Sequence, residues 1–165
     1  MAAQLHEYTS DCTISFIDLY EKTKRNFPQV REVNKEERLE KILCDNEVPY
    51  ECKGYVEYAK GIQFLRSNSD ILLLSSDLEG VGLGTKVYDY IFCNKPIIFV
   101  GSETTALASF VSSFTNGFVC TNKTETFGAL EKIISEKIDA LDDNIDVYSF
   151  SRGKQNERYI NPLYS

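Results

Sequence analysis

The fold of this chain is decided by residues 71–100, which read ILLLSSDLEGVGLGTKVYDYIFCNKPIIFV. Two apolar runs, Ile71–Leu74 and Ile97–Val100, have the length of a strand and no polar alternation. That pattern is typical of strands that are buried on both faces, as in a parallel sheet. Between the two runs, Thr85–Cys93 carries apolar residues at helical spacing. The stretch therefore predicts a right-handed βαβ unit, in which Asn94 takes a left-handed helix cap and Pro96 prevents the helix from continuing.

The same alternation continues on both sides of this stretch. We predict helices over Ser15–Phe27, Lys35–Leu43, Tyr58–Ser67, Thr104–Phe114 and Thr124–Leu141, and strands over Val30–Val33, Tyr50–Val56 and Phe118–Cys120. The helix at Thr124–Leu141 would face inward with Phe127, Leu130, Ile133, Ile134 and Ile138. Helices that alternate with short apolar strands indicate an α/β fold, a three-layer Rossmann-like parallel sheet. Such a domain normally opens with a strand, and residues 1–11 are poor strand formers, so we expect the first strand to be missing.

Length and composition limit the classes of protein that this chain can represent. Its 165 residues suffice for one domain, which we place at 1–147 with a helical tail at 148–165. A net charge of −7 argues against a nonspecific nucleic-acid binder, which needs a basic face. There is no apolar run of transmembrane length and no signal peptide, and an odd set of five cysteines without a CxxC pair indicates reduced thiols, so we expect a cytoplasmic protein.

A glycine-rich loop follows the first apolar run and leads into the central helix. Gly80, Gly82 and Gly84 alternate with other residues, and Thr85 and Lys86 come directly after them. Glycines let the backbone approach a ligand closely, and the amides at a helix N-terminus favour anions, so the loop could hold a diphosphate. The spacing matches neither the dinucleotide fingerprint nor the P-loop, and a glycine loop with a solvated lysine is the alternative.

Asp89 lies three residues after Lys86, which places both side chains near the start of one helix face. A carboxylate in that position can accept hydrogen bonds from ribose hydroxyls. The alternative is an ordinary surface pair of lysine and aspartate. Glu79 in the glycine loop could likewise meet a sugar hydroxyl or be solvated, and Thr104 and Thr105 could contact phosphate or simply cap their helix.

The order of these segments resembles the C-terminal, donor-binding domain of GT-B glycosyltransferases of the large group 1 family, family 4. The resemblance covers roughly residues 53–150 and is carried by LRSNSDILLL from Leu65, GTKVYDYIFCNKPII from Gly84, NGFV from Asn116 and YSFSR from Tyr148. It implies that the domain binds a UDP- or GDP-linked sugar without a cofactor or metal ion. It also implies a role in hexosyl transfer to a glycan or other acceptor, in polysaccharide or glycoconjugate biosynthesis.

The resemblance also implies a role for individual residues. Lys86 would stabilise the diphosphate leaving group, which is the catalytic role, with Thr85 beside it. Asp89 stands where the family has a glutamate that holds the ribose. The resemblance further implies that Gly54, Tyr55 and Val56 line the base and that Gly101 and Ser102 lie near the sugar phosphate. Together with Glu79 and Gly84 of the glycine loop, these residues complete the predicted donor site.

Three departures from the family pattern limit this prediction. Many relatives carry a further glutamate seven residues before the ribose ligand, where this chain has Gly82. No segment matches the basic loop that relatives use on the diphosphate, and none matches the acceptor-binding domain. We therefore expect that transfer requires a separate acceptor domain or subunit, or self-association. A non-catalytic, flavodoxin-like interaction or regulatory module that has lost donor binding is the alternative. An epimerase-type relative is disfavoured, since His6 is the single histidine.

Overall fold

The structure, a computed structural model, describes residues 13–18, 41, 43–45, 47–76, 83–84, 86–142, 144–151 and 154. The chain divides into two compact units, Met1–Gly61 and Ile62–Ser165, which are described separately below. Among the described residues, no helix is long and apolar enough to cross a membrane. The predicted strand Val30–Val33 and most of the predicted helix Lys35–Leu43 lie outside the described residues.

The first unit contains two parallel strands, β1 (Ile14–Asp18) and β2 (Tyr50–Tyr55). Strand β2 confirms the strand predicted at Tyr50–Val56. The helix predicted from Ser15 is wrong over residues 15–18, where β1 lies, and so is the expectation that the chain opens with a helix and lacks a first strand. The cause is a short apolar run that fits both periods, because Phe16 is spaced for a strand with Ile14 and for a helix with later residues.

Further along this unit, Lys41 and residues 43–45 are helical, and Leu43 is buried, as predicted. Helix α1 (Tyr58–Asn68) agrees with the helix predicted at Tyr58–Ser67 and crosses the boundary between the two units.

The second unit alternates strands and helices, as the sequence predicts. Its further elements are β3 (Leu72–Ser76), α2 (Lys86–Cys93), β4 (Ile97–Gly101), α3 (Ala106–Val111), β5 (Gly117–Cys120), α4 (Lys123–Glu136) and a 3-10 helix (Val147–Phe150). The strands form one sheet in the order β3-β4-β5, and both pairings are parallel. The parallel sheet predicted from the two apolar runs is therefore confirmed.

Helices cover both faces of this sheet. Residues Ile97, Ile98 and Phe99 of the central strand β4 are all buried. On one face, Ile98 joins a core cluster with Ala129 and Ile133 of α4. On the other face, Gly117 lies in register with Ile97, directly beneath the backbone of Val111 in α3. The second unit is thus an α/β fold with a three-stranded parallel sheet flanked by helices, an arrangement compatible with a Rossmann-like fold.

Strand β3 differs from the prediction that both of its faces are buried. Leu72 and Leu74 are buried, but Leu73 between them is 56% exposed. The reason is position, because β3 lies at one end of the described sheet, while α4 packs over β4 and β5.

The observed ends of the helices agree with one of the boundaries predicted from the sequence and differ from another. Asn94 ends α2 with a positive φ of 50°, as predicted from its tolerance of the left-handed region. Helix α4 stops at Glu136 because Lys137 takes the left-handed conformation, so the helix predicted at Thr124–Leu141 is too long. Leu141 is instead fully buried in the segment beyond, and Ile134, predicted to face inward, is exposed.

Candidate functional site

The carboxyl ends of the three parallel strands meet at one edge of the second unit. Ser76 at the end of β3 is in register with Gly101 at the end of β4, and Val100 is in register with Cys120 at the end of β5. Each of these strands is followed in the chain by a helix, namely α2, α3 and α4. In open parallel sheets this is the edge where ligands bind, and four of the predicted site residues, Gly84, Lys86, Gly101 and Ser102, belong to it.

Helix α2 begins with an exposed lysine at this edge. Gly84 has a φ of +63°, and there is open space where a side chain would be. Two residues later, Lys86 is the first residue of α2, and its exposed ammonium group forms no ion pair with any described residue. The other predicted members of the loop, Glu79 and Thr85, lie outside the described residues, as do Gly80 and Gly82.

Asp89 is half-buried one turn further along α2. Its charge acts on Cys93, whose pKa is raised to about 11, chiefly by burial and secondly by the Asp89 carboxylate. The Cys93 thiol lies 3.9 Å from the carbonyl oxygen of Ile62, to which it donates. Asp89 thus belongs to the same helix as Lys86 but also contributes to the electrostatic environment of the opposite end of α2.

Gly101 and Ser102 lie where β4 gives way to α3. Gly101 is the half-buried last residue of β4, and the exposed Ser102 hydroxyl lies 2.8 Å from the hydroxyl of Thr104. Thr105 caps α3, since its hydroxyl oxygen accepts from the amide of Ala108 at 3.0 Å. This cap confirms the structural alternative for Thr105.

The start of α4 carries a polar cluster that sequence reasoning missed. The Asn122 side chain accepts from the amide of Glu125 at 3.0 Å, and the Glu125 carboxylate accepts from the amide of Thr121 at 2.7 Å. The Thr121 hydroxyl and the Asn122 side-chain amide also donate to this carboxylate, and these hydrogen bonds, led by that from the Thr121 amide, lower the pKa of Glu125. The signal that could have indicated this cluster is a capping residue followed three positions later by glutamate, a known helix-start pattern. The start of α4 is therefore occupied by a carboxylate of the protein itself.

Three predicted donor-site residues belong to the first unit. Gly54 and Tyr55 are the last residues of β2, and Val56, directly after them, is half-buried. The structure describes them within that unit, so the edge described above brings together Gly84, Lys86, Gly101 and Ser102, all of which lie in the second unit.

No family model matches this chain, and no significant match was found among curated proteins or solved structures. Besides the carboxylates of Glu103 and Glu125, the chemistry that the described residues of the edge offer consists of the exposed ammonium groups of Lys86 and Lys123, exposed hydroxyls and the backbone of two glycines. In the part of the chain that the structure describes, no group of three or more His, Cys, Asp or Glu side chains could hold a metal ion. These groups are suited to binding an oxygen-rich anion.

Proposed function

We propose that this chain binds a nucleoside-diphosphate sugar, UDP- or GDP-linked, as the donor half of a GT-B type glycosyltransferase. The observation that carries the proposal is Lys86, an exposed cation without an ion-pair partner among the described residues, at the N-terminus of α2 and at the carboxyl edge of a parallel sheet. Helix N-terminal amides and a lysine at the same point favour a diphosphate, both when it is bound and when it leaves. The left-handed Gly84 leaves open space beside them.

The proposed roles are those that the family resemblance and the spacing of Lys86 and Asp89 along α2 imply. Lys86 neutralises the diphosphate, with Thr85 beside it, and Asp89 holds the ribose. Ser102 and the backbone of Gly101 contact the sugar phosphate, and Glu79 contacts the sugar. Gly54, Tyr55 and Val56 line the base, a role that depends on the family resemblance alone.

In this proposal the sugar is transferred to a glycan or another acceptor that is held elsewhere. A separate acceptor-binding domain or subunit, or a second copy of the chain, completes the cleft. The proposal assigns no residue of this chain to the deprotonation of the acceptor hydroxyl. Binding of the donor can therefore be tested on this chain alone.

The test is a titration of UDP, GDP, ADP and CMP, followed by ligand-observed NMR. We expect UDP or GDP to bind, and Lys86→Ala to weaken binding by about tenfold to a hundredfold, since a hydrogen bond to a charged group contributes roughly 1.5–3 kcal/mol. Asp89→Ala should weaken binding of the nucleotide but not of inorganic diphosphate. Lys95→Ala is the matched control, because Lys95 follows the opposite end of α2.

Two results would contradict the proposal. If no nucleotide binds at millimolar concentration, the chain is better explained as a non-catalytic interaction module. If Lys86→Ala and Lys95→Ala weaken binding equally, the site is not at the start of α2. Thermal melting of each variant separates a lost contact from a lost fold.

A further inference from the structure

Four aromatic side chains of the second unit form a cluster that joins its C-terminal segment to two helices. They are Tyr88 of α2, Phe110 of α3, Phe114 in the segment that follows α3, and Phe150 of the 3-10 helix. Phe110 lies at the centre, with ring centroids 6.1 Å from Tyr88, 5.4 Å from Phe114 and 6.0 Å from Phe150. The ring planes are tilted or perpendicular, which is the favourable geometry for aromatic pairs.

The 3-10 helix is held in place at its start and packs against α2. The Asp146 carboxylate accepts from the amide of Tyr148 at 3.1 Å, and this caps the turn. The two aromatic residues of the turn have different surroundings. Phe150 is half-buried in the cluster, whereas Tyr148 is 71% exposed. Val147–Phe150 is in contact with α2.

The two helices that the cluster joins both start at the candidate site. Tyr88 lies two residues after Lys86, and α3 follows directly on the Ser102–Thr105 turn. Both helices are short, with eight residues in α2 and six in α3. Helices of this length depend on tertiary packing for their stability, so contacts on their outer faces affect their position.

We propose that Val147–Phe150 is a clasp that fixes α2 against α3, with Phe150 as a positioning residue for the edge that carries Lys86 and Ser102. The Phe150 ring contacts Phe110 of α3 and Phe114 just beyond this helix, and Phe110 in turn contacts Tyr88 of α2. Removing the ring releases both helices at once, whereas α4 on the opposite face keeps its own core contacts. Only the effect on ligand affinity rests on the proposed function.

Hydrogen exchange of the full chain, followed by mass spectrometry, tests the clasp. In Phe150→Ala we expect amide exchange in α2 and α3 to accelerate by about tenfold relative to exchange in α4, since losing two aromatic pairs mainly affects the helices they touch. Phe150→Tyr, which keeps the ring, should restore the wild-type rates. Phe127→Ala removes a half-buried ring from α4 outside the cluster and is the matched control.

The clasp would be overturned if amide exchange in Phe150→Ala accelerates uniformly across the second unit, or does not accelerate at all. If Phe150→Ala does not fold, Phe150→Leu provides the same comparison with most of the apolar volume retained.

A nucleotide titration of the same variants separates this inference from the proposed function. We expect Phe150→Ala to weaken UDP or GDP binding although Lys86 and Ser102 are unchanged, and Phe150→Tyr to restore it. Unchanged affinity in a variant whose α2 and α3 exchange faster would overturn the positioning role. If the wild-type chain binds no nucleotide, the proposed function fails, while the exchange rates still decide whether the clasp exists.

Discussion

At the scale of the residue, Gly117 leaves no room for a side chain. A Cβ atom there would lie 2.0 Å from the carbonyl oxygen of Val111, because the end of α3 passes directly over the start of β5. The obstacle is backbone, which cannot move aside as a flexible side chain can. Gly128 in the interior of α4 is the opposite case, since a Cβ atom there would meet no atom within 4 Å.

These two glycines should respond to the same substitution with opposite signs. Gly117→Ala should lower the free energy of unfolding by roughly 1–3 kcal/mol, the usual cost of overpacking. Gly128→Ala should raise it by about 0.5–1 kcal/mol, because alanine is the better helix former. Urea denaturation of both variants measures the difference, and a stabilising Gly117→Ala would show that α3 does not lie against β5 as described.

At the scale of the element, α4 is fixed at its start by side-chain hydrogen bonds. Asn122 and Glu125 form hydrogen bonds with each other, and the Glu125 carboxylate also accepts from the Thr121 amide. These polar groups at the first turn of the helix therefore have partners within the chain. The Glu125 pKa is lowered, and a carboxylate with a lowered pKa contributes stability above its ordinary pKa that is lost as the pH falls through the lowered value.

Replacement of the capping residue should destabilise the unit. Asn122→Ala should lower the free energy of unfolding by about 1 kcal/mol, the typical cost of losing a helix cap.

Glu125→Gln should lower the melting temperature at neutral pH, and its difference from wild type should disappear in strong acid, where both side chains are neutral. Glu131→Gln on the exposed face of the same helix is the control, and a difference that persists in acid would contradict the assigned role of Glu125.

Comparison of individual elements shows what the sequence could predict. The strand Ile97–Gly101 was predictable because its apolar run has no polar alternation, and Asn94 marked the end of α2. The end of α4 was not predictable, because Ile138 and Leu141 continue the apolar pattern into a segment that is no longer helical. Lys137 adopts the left-handed conformation without the glycine that usually signals it. In the candidate site, Gly84 and Lys86 were predicted from a glycine-rich loop that leads into a helix. The contacts of Phe150 are tertiary and leave no local pattern in the sequence.

At the scale of the whole molecule, buried titratable groups set the response to alkaline pH. Burial raises the pKa values of Tyr90, Cys93 and Cys120, and that of Cys93 reaches about 11. The folded protein therefore retains protons that the unfolded chain releases, starting near the ordinary thiol value of 9.0. By linkage, this stabilisation is complete below that value and is lost as the pH rises through the raised pKa.

The free energy of unfolding should accordingly fall between the ordinary thiol pKa and about 11. Cys93→Ala should make this decline shallower, at the cost of a small cavity that is independent of pH. Cys44→Ala, at an exposed thiol, should leave the slope unchanged and is the matched control. Urea denaturation at a series of pH values measures the slope, and equal slopes in wild type and Cys93→Ala would show that this thiol titrates normally.

The strands β3, β4 and β5 lie in the sheet in the same order as in the chain, and this order affects how the second unit folds. Each strand pairs with the next one to be synthesised, so every new pairing closes a single crossover and involves no strand from a distant part of the sequence. We expect the unit to assemble vectorially as it leaves the ribosome, with β3, α2 and β4 as its nucleus. Val147–Phe150 emerges after all three strands, so the aromatic cluster is completed only once the sheet has been translated.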